Sequence, residues 1–183
     1  MQTERRDVLV HVGENLRRLR QAAGMSQTAL AASAGVSRRT IINLEAGEAN
    51  ISLAGLDRLA ETLDATFTDL ISAPTAPVSK INAVAWRGSA LESQAVLLGS
   101  APARREAQLW SWTLAAGERY DAEPDPAGWH EMVVVTQGTL RIEREQGPTM
   151  LRSGDHAIYS SAQTYAYINV HDGLTRFIRT VLS

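Results

Sequence analysis

The hydrophobic pattern of this sequence changes its period once along the chain, and that change constrains the fold more than any other feature. Up to about Ser72, apolar residues recur every three or four positions, as at Leu9, Val12 and Leu16, which predicts amphipathic helices. After Ile81, apolar and polar residues alternate in runs such as QLWSWTL and TYAYINV, with glycines between the runs. That pattern predicts short strands. The sequence therefore predicts an all-α domain followed by an all-β sandwich or barrel.

The segment SAPTAPVSK separates the two patterns and indicates a domain boundary. It contains small residues and two prolines but no apolar periodicity. Proline lacks an amide hydrogen and disfavours helix in the residue before it. A length of 183 residues allows two small domains. We therefore predict an all-α domain over residues 1–72, a linker over 73–80 and an all-β domain over 81–183.

Composition excludes several classes of protein. The chain has no cysteine, which excludes disulfides, thiolate metal sites and a cysteine nucleophile and suits a reducing compartment. It has no run of 18 apolar residues, and its N-terminus, MQTERRDVLV, lacks the apolar core of a secretory signal. We expect a cytoplasmic protein without a membrane partner. Because the net charge is −2, a nucleic-acid partner has to be argued from local charge.

Three predicted helices begin in the same way. Ser26, Ser37 and Ser52 each follow an apolar residue and precede a helical pattern. A serine at this position caps the free amides of the first turn, and the apolar residue packs on that turn. Two short helices are therefore predicted over residues 27–33 and 38–46. The Ala-Gly-Val link between them is the short glycine turn of a helix-turn-helix.

The segment SQTALAASAGVSRRTIINLEAG resembles the XRE-type, lambda-repressor-like transcription regulators. The family pattern is Ser-Gln, Leu-Ala, Gly-Val-Ser, Ile and Glu-x-Gly, and each part is present. With its flanking helices the resemblance covers about residues 9–72. It implies a five-helix lambda-repressor-like helix-turn-helix domain that binds a double-stranded DNA operator.

The charge of the helix-turn-helix segment independently favours a function in DNA binding. Residues 15–44 contain five arginines and no acidic residue, which is typical of a surface that contacts phosphate. For Arg17, Arg18 and Arg20, a solvated face is the favoured interpretation. In a helix-turn-helix the second helix enters the major groove, and arginine and asparagine recognise guanine and adenine there. The predicted DNA-binding residues are Ser37, Arg38, Arg39, Thr40 and Asn43 on that helix, with Ser26 and Gln27 at the DNA backbone.

The second half resembles the cupin superfamily of small β-barrels. Residues 117–138 look like the first cupin motif, with Asp125-Pro-Ala-Gly-x-x-Glu131 at its centre. Residues 154–169 look like the second motif and end in Tyr-Ala-Tyr-Ile-Asn. The resemblance covers roughly residues 81–183 and implies an all-β cupin (double-stranded β-barrel) domain.

This chain departs from the cupin pattern at the metal ligands. Metal-binding cupins hold an ion with two or three histidines and one glutamate. The histidine positions are here occupied by Asp125, Ala127 and Tyr165, and only Glu131 remains. His130 adjoins Glu131, but adjacent strand residues point to opposite faces. We therefore expect no bound metal and no cofactor.

The remaining inward side chains favour an organic ligand. Apolar walls with a few converging polar groups are typical of small-molecule sites. For Trp110, Trp112 and Tyr167, packing in the core or at a dimer interface is an equally good interpretation, and the two tryptophans are large enough to fill the barrel. The predicted effector-binding residues are Asp125, Glu131, Tyr165, Tyr167 and Trp112.

Together these features predict a homodimeric transcription regulator whose cupin domain senses a small molecule. Two alternatives stay open. One is an enzyme, either an iron oxygenase like the hydroxypropylphosphonate epoxidases or a metal-free isomerase or lyase with Glu131 as base. The other is an antitoxin-like module whose β domain binds a protein partner.

Overall fold

A computed structural model describes residues 9–48, 51–73 and 77–183. Residues 1–8, 49 and 50 of the predicted all-α domain and 74–76 of the predicted linker lie outside these ranges. No helix in the described ranges is long and apolar enough to cross a membrane. Within the described residues, the first part contains five helices, α1 (Leu9–Ala22), α2 (Gln27–Ser33), α3 (Arg38–Glu45), α4 (Leu53–Thr62) and α5 (Phe67–Ile71).

The three serines predicted to cap helices do so. Ser26, Ser37 and Ser52 each accept a hydrogen bond on Oγ from the amide three residues later, at 3.0 to 3.1 Å. Gly35, between α2 and α3, has a φ of +66°, in the left-handed region where a side chain is strained. These local signals fix where α2 and α3 begin and how sharply the chain turns between them.

The five helices share one core. Leu16 of α1, Leu30 of α2, Ile41 of α3, Leu59 of α4 and Leu70 of α5 are fully buried together. The helices are short, so this common burial, rather than intrinsic propensity, stabilises them. The helical half of the predicted fold class is therefore confirmed.

The second part is built from ten strands in two antiparallel sheets. The six-stranded sheet has the order β1-β2-β3-β10-β5-β8, and the four-stranded sheet has the order β4-β9-β6-β7. The strands are β1 (Ala83–Arg87), β2 (Gln94–Pro102), β3 (Glu106–Leu114), β4 (Arg119–Ala122), β5 (His130–Gln137), β6 (Thr139–Arg144), β7 (Thr149–Arg152), β8 (His156–Ser160), β9 (Tyr165–Asn169) and β10 (Thr175–Leu182).

Alternating side chains of the two sheets fill the space between them. On β3, Trp110, Trp112 and Leu114 are buried whereas Leu109 is exposed, as a period of two requires. Phe177 of β10 stacks on Trp112 with ring centroids 5.6 Å apart. The all-β half of the predicted fold is therefore confirmed as well.

The helical part packs directly on the barrel through α4 and α5. The Glu106 carboxylate of β3 accepts hydrogen bonds from the Phe67 amide at 3.1 Å and the Thr68 hydroxyl at 2.6 Å, so a barrel residue caps α5. The Phe67 ring meets Trp110 edge to face at 5.6 Å. Because Glu106 and Thr68 are buried, these contacts bind the two parts closely together.

Candidate functional site

The N-terminal half of α3 presents the residues predicted to read DNA bases. Ser37 caps the helix, and its hydroxyl lies 2.8 Å from that of Thr40. Arg38 and Arg39 are exposed, and neither forms an ion pair within the described ranges. Asn43 is half-buried one turn further on. The arrangement leaves two guanidinium groups available at the end of the helix that a helix-turn-helix inserts into the groove.

The two residues predicted to contact the DNA backbone lie at the start of α2. They differ in the hydrogen bonds that their side chains already make within the protein. The Ser26 side chain is exposed but accepts the Ala29 amide as a cap. The Gln27 side chain donates to Glu45 of α3 at 3.0 Å. One N–H of the Gln27 amide is therefore bound to Glu45, and its second N–H is the donor available for a phosphate.

Glu45 organises a polar cluster that the sequence did not reveal. Arg20 of α1 donates from Nε to Glu45 Oε1 at 2.5 Å and from Nη2 to Oε2 at 3.0 Å. Arg20 Nη1 also donates to the Met25 carbonyl at 2.8 Å, and Arg17 lies 3.6 Å from Glu45. The solvated-face interpretation of Arg20 is wrong, because its side chain is only 11% exposed. The glutamate of the Glu-x-Gly motif was the signal that a buried partner was required.

The hydrogen bonds of this cluster determine the ionisation of Glu45. Burial alone would raise the pKa of Glu45, but the hydrogen bonds from Arg20 and Gln27 outweigh burial and lower that pKa below its usual value. The ion pair therefore stabilises the fold above the ordinary glutamate pKa. Its contribution is lost as the pH falls through the lowered value.

We expect Glu45→Gln to lower the free energy of unfolding by about 3 kcal/mol at pH 7, because it leaves a partly buried guanidinium without its carboxylate. Urea unfolding followed by circular dichroism measures this change. Glu48→Gln, at an exposed position nearby, is the matched control. Equal stabilities of the two variants would contradict the role of Glu45, and the difference between them should shrink as the pH falls below the ordinary pKa of glutamate.

At the centre of the barrel, Glu131 is enclosed by hydrogen-bond donors. Its Oε1 accepts from the Tyr165 hydroxyl at 2.6 Å and lies 3.1 Å from Nη1 of Arg179. Its Oε2 accepts from the hydroxyls of Tyr159, at 2.6 Å, and Tyr167. Glu131 has no exposed surface. Both oxygens of the carboxylate are thus bound by side chains of the barrel itself.

Alternation on the strands brings these five residues together. Glu131 comes from β5, Tyr159 from β8, Tyr165 and Tyr167 from β9, and Arg179 from β10. Burial and the nearby Glu131 charge raise the pKa values of all three tyrosines well above the ordinary value, so they stay protonated and donate. The guanidinium of Arg179 also lies 4.8 Å from the Trp110 ring and 5.1 Å from that of Trp112.

Sequence reasoning missed Tyr159 and Arg179. The run TRFIRTVL places Thr175, Phe177, Arg179 and Val181 on one face, and all four are buried. An arginine at an inward position of an otherwise apolar alternation was the available signal, because a buried guanidinium requires a carboxylate.

The predicted effector-binding residues do not enclose an open pocket. Asp125, Glu131 and Tyr165 line a cavity of only about 10 Å³ between α4 and the barrel, about the room that one water needs. Tyr167 and Trp112 lie deeper, in the aromatic core. The barrel interior is therefore filled by its own side chains, including both tryptophans.

A larger cleft lies beside this cavity, where the start of α4 meets the barrel. Its volume is about 380 Å³, within the range of small-molecule sites. The Trp86 and Tyr120 rings, 5.2 Å apart, contribute its aromatic side. Its lining residues are Ile51, Ser52 and Leu53 of the helical part and Ala85, Trp86, Arg119, Tyr120 and Asp121 of the barrel.

The residues at the cupin ligand positions do not fit a divalent metal. Ala127 has no donor atom, the Tyr165 hydroxyl is bound to Glu131, and the Arg179 cation occupies the space beside that carboxylate. His130 and His156 are exposed on the outside of the sheet. Within the described ranges, no group of three or more histidine, aspartate or glutamate side chains has a geometry that could hold a metal.

The fold and these surfaces define a class: a helix-turn-helix domain joined to a β domain of two antiparallel sheets. The helix-turn-helix family model HTH_3 matches residues 16–70, so this segment is an HTH_3 domain. The resemblance inferred from SQTALAASAGVSRRTIINLEAG is thereby confirmed. None of the curated proteins is a match for the chain.

Several solved structures are similar to this chain to different degrees. An HTH_3 family transcriptional regulator from Vibrio cholerae is 22% identical, with a TM-score of 0.77 over 96% of this chain and 98% of that one, so the two share the fold. A cupin domain of an XRE family regulator from Enterobacter cloacae is 23% identical, covering 42% of this chain and 81% of its own, with a TM-score of 0.41. Hydroxypropylphosphonic acid epoxidase from S. wedmorenis is 16% identical, covering 94% and 97%, with a TM-score of 0.43.

Proposed function

We propose that this protein is a sequence-specific DNA-binding transcription regulator. The observation that carries the proposal is the exposed, capped N-terminal half of α3, where Arg38 and Arg39 extend from the second helix of the helix-turn-helix. Such a helix reads base edges in the major groove. Ser37, Thr40 and Asn43 complete the base-contacting set, with Ser26 and Gln27 at the DNA backbone.

Selection of bound fragments from a randomised DNA pool tests this function. We expect enrichment of an inverted repeat whose half-sites are about one helical turn apart, since two recognition helices must reach successive major grooves. A pool that stays unenriched after several rounds at moderate salt would contradict sequence-specific binding.

We propose that a second copy of the chain pairs with the outer face of the six-stranded sheet. Leu109, Met132, Val134 and Ile158 are large apolar residues exposed on this face. These residues lie on neighbouring strands of the sheet, β3, β5 and β8, with β10 between β3 and β5. Thr180 of β10 pairs with Leu109 on one side and with Met132 on the other, and Met132 also pairs with Ile158. None of these side chains is charged, so two copies of the face would not bury unpaired ions. One recognition helix buries too little surface for tight specific binding, which makes a dimer necessary.

We expect the double substitution Val134→Glu and Ile158→Glu to dissociate the dimer, raising its dissociation constant at least about a hundredfold because it would bury like charges. Sedimentation velocity over a concentration series measures the change. Leu91→Glu is the control, since Leu91 is 92% exposed outside this face. A double variant that sediments as the wild type would contradict the assignment of this face.

We further propose that a small molecule modulates DNA binding from the barrel mouth. Asp125, Glu131 and Tyr165 stay its nearest predicted contacts, and Trp112 and Tyr167 stay predicted contacts deeper in the barrel. Because the centre is filled, the ligand would enter through the cleft beside α4. It can change DNA affinity only if it binds the two arrangements of the domains with different affinities. Native mass spectrometry of the purified protein tests this: an organic adduct at one per chain, lost in Trp86→Ala, is the expected result.

A further inference from the structure

Asp57 of α4 is a carboxyl buried between the helical part and the barrel. It is 7% exposed. Its oxygen Oδ1 accepts one hydrogen bond, from Nε2 of Gln108 on β3, at a distance of 3.3 Å. Within the described ranges, Asp57 has no ion pair. A buried ionised carboxylate without a cation is costly, so this environment favours the protonated acid.

The groups around Asp57 offer no spare positive charge. Arg58, its neighbour on α4, pairs with Glu123 at 2.9 Å, and Arg179 pairs with Glu131. Gln108 is shared with Glu106 and with the indole of Trp110. The titratable and charged groups that face Asp57 and its two adjoining cavities are Arg58 and Glu61 of α4, Arg105 and Glu106 beside and on β3, Tyr120 of β4, Glu123 and Asp125 of the following loop, Glu131 of β5, Tyr165 of β9 and Arg179 of β10.

A second acidic residue near Asp57, besides Glu106, is Asp125. It lines the same cavity as Asp57 from the barrel side. Burial and the charge of Asp125 raise the pKa of Asp57 well above its ordinary value. Burial and the charge of Glu131 raise the pKa of Asp125 to about 6. If α4 moved off the barrel, both carboxyls would meet water and their pKa values would fall towards the ordinary range.

We propose that docking of the helix-turn-helix domain on the barrel is linked to proton uptake at Asp57. The docked arrangement holds the proton, and the undocked arrangement releases it. Raising the pH therefore favours undocking, about tenfold per pH unit for each proton released. If the protein binds DNA as proposed above, the spacing of its two recognition helices then responds to pH.

A single introduced cysteine reports undocking. The chain has no cysteine of its own, and Ala54, on α4, is 7% exposed and lines the cavity shared by Asp57 and Asp125. In Ala54→Cys the thiol reacts with a disulfide reagent such as DTNB only when α4 leaves the barrel. The rate is compared between Ala54→Cys and the double variant Ala54→Cys, Asp57→Asn, in which the amide keeps the bond from Gln108 but cannot ionise.

Both variants carry the same thiol, so the ionisation of this thiol changes both rates equally and cancels in their ratio. We expect this ratio to rise as the pH is increased from 5 to 8, with a slope of up to about tenfold per pH unit where the docked form still holds the proton. Asp172→Asn, at an exposed barrel loop position, should leave the pH profile of Ala54→Cys unchanged. A flat ratio overturns the proposal, as does a thiol that reacts only at the rate of global unfolding. The assay contains no DNA, so it can succeed even where the DNA selection fails.

Discussion

Replacement of both Arg38 and Arg39 with alanine is expected to weaken operator binding by about a thousandfold. Each bidentate contact between an arginine and guanine contributes roughly 1–3 kcal/mol of discrimination. Loss of two such contacts, about 4 kcal/mol together, corresponds to that change in the dissociation constant. Both side chains are exposed, so the fold should be retained. Fluorescence anisotropy with the selected operator, at one fixed salt concentration, measures the loss.

The double variant Arg87→Ala, Arg152→Ala is the matched control, because it removes two exposed positive charges from the barrel. We expect it to change operator affinity less than about threefold, since exposed charges far from the DNA are screened by salt. An equal loss in both double variants would mean that α3 does not read the operator. The single variants separate the roles: a base-reading arginine relaxes specificity, whereas a phosphate-binding one lowers the salt dependence.

The helix-turn-helix was predictable because its signals are local. Ser37 caps α3 through an amide only three residues away, and Gly35 supplies the left-handed turn. Such signals depend on spacing alone, so a single sequence reveals them. Alternation likewise placed Glu131 inside the barrel and His130 outside it, as the structure has them.

The partners of buried charges were not predictable in the same way. Arg20 meets Glu45 across 25 residues, and Arg179 meets Glu131 from β10, which is far from β5 along the chain but pairs with it in the sheet. The alternating pattern predicts which face of the sheet a side chain occupies. It does not predict which side chain on another strand will contact it. Asp57 is the extreme case, because its environment exists only where α4 packs on the barrel.

The volume of the cavity inside the barrel could not be predicted from the sequence either. The aromatic residues that predicted a pocket are large enough to remove it, as Trp112 does by contacting Tyr120, Tyr167 and Phe177. The Glu131–Arg179 ion pair lies among these aromatic rings at the centre of the barrel. This arrangement gives the barrel centre a structural role, and the proposed ligand would enter through the cleft beside α4.

Arg179→Met is expected to lower the free energy of unfolding by about 3–5 kcal/mol, because it leaves Glu131 as a buried carboxylate without a cation. Glu131→Leu should cost a similar amount, since it leaves Arg179 as an unpaired buried cation. The double variant Glu131→Leu, Arg179→Met removes both charges and fills the space with apolar atoms. We expect it to recover the part of the loss that comes from the unpaired charge, whereas the cost of removing the acceptor of the three tyrosine hydroxyls remains. Urea unfolding at pH 7 measures all three.

Tyr159→Phe is the matched control for the loss of a single donor, with an expected cost of about 1–2 kcal/mol. The interaction energy from the double-mutant cycle is the decisive quantity, because coupled residues give non-additive changes in stability. Additive losses would show that Glu131 and Arg179 do not stabilise each other. Strong coupling would instead mean that the charge at the barrel centre is balanced within the chain, so that a ligand bringing its own charge there must first displace Arg179 from Glu131.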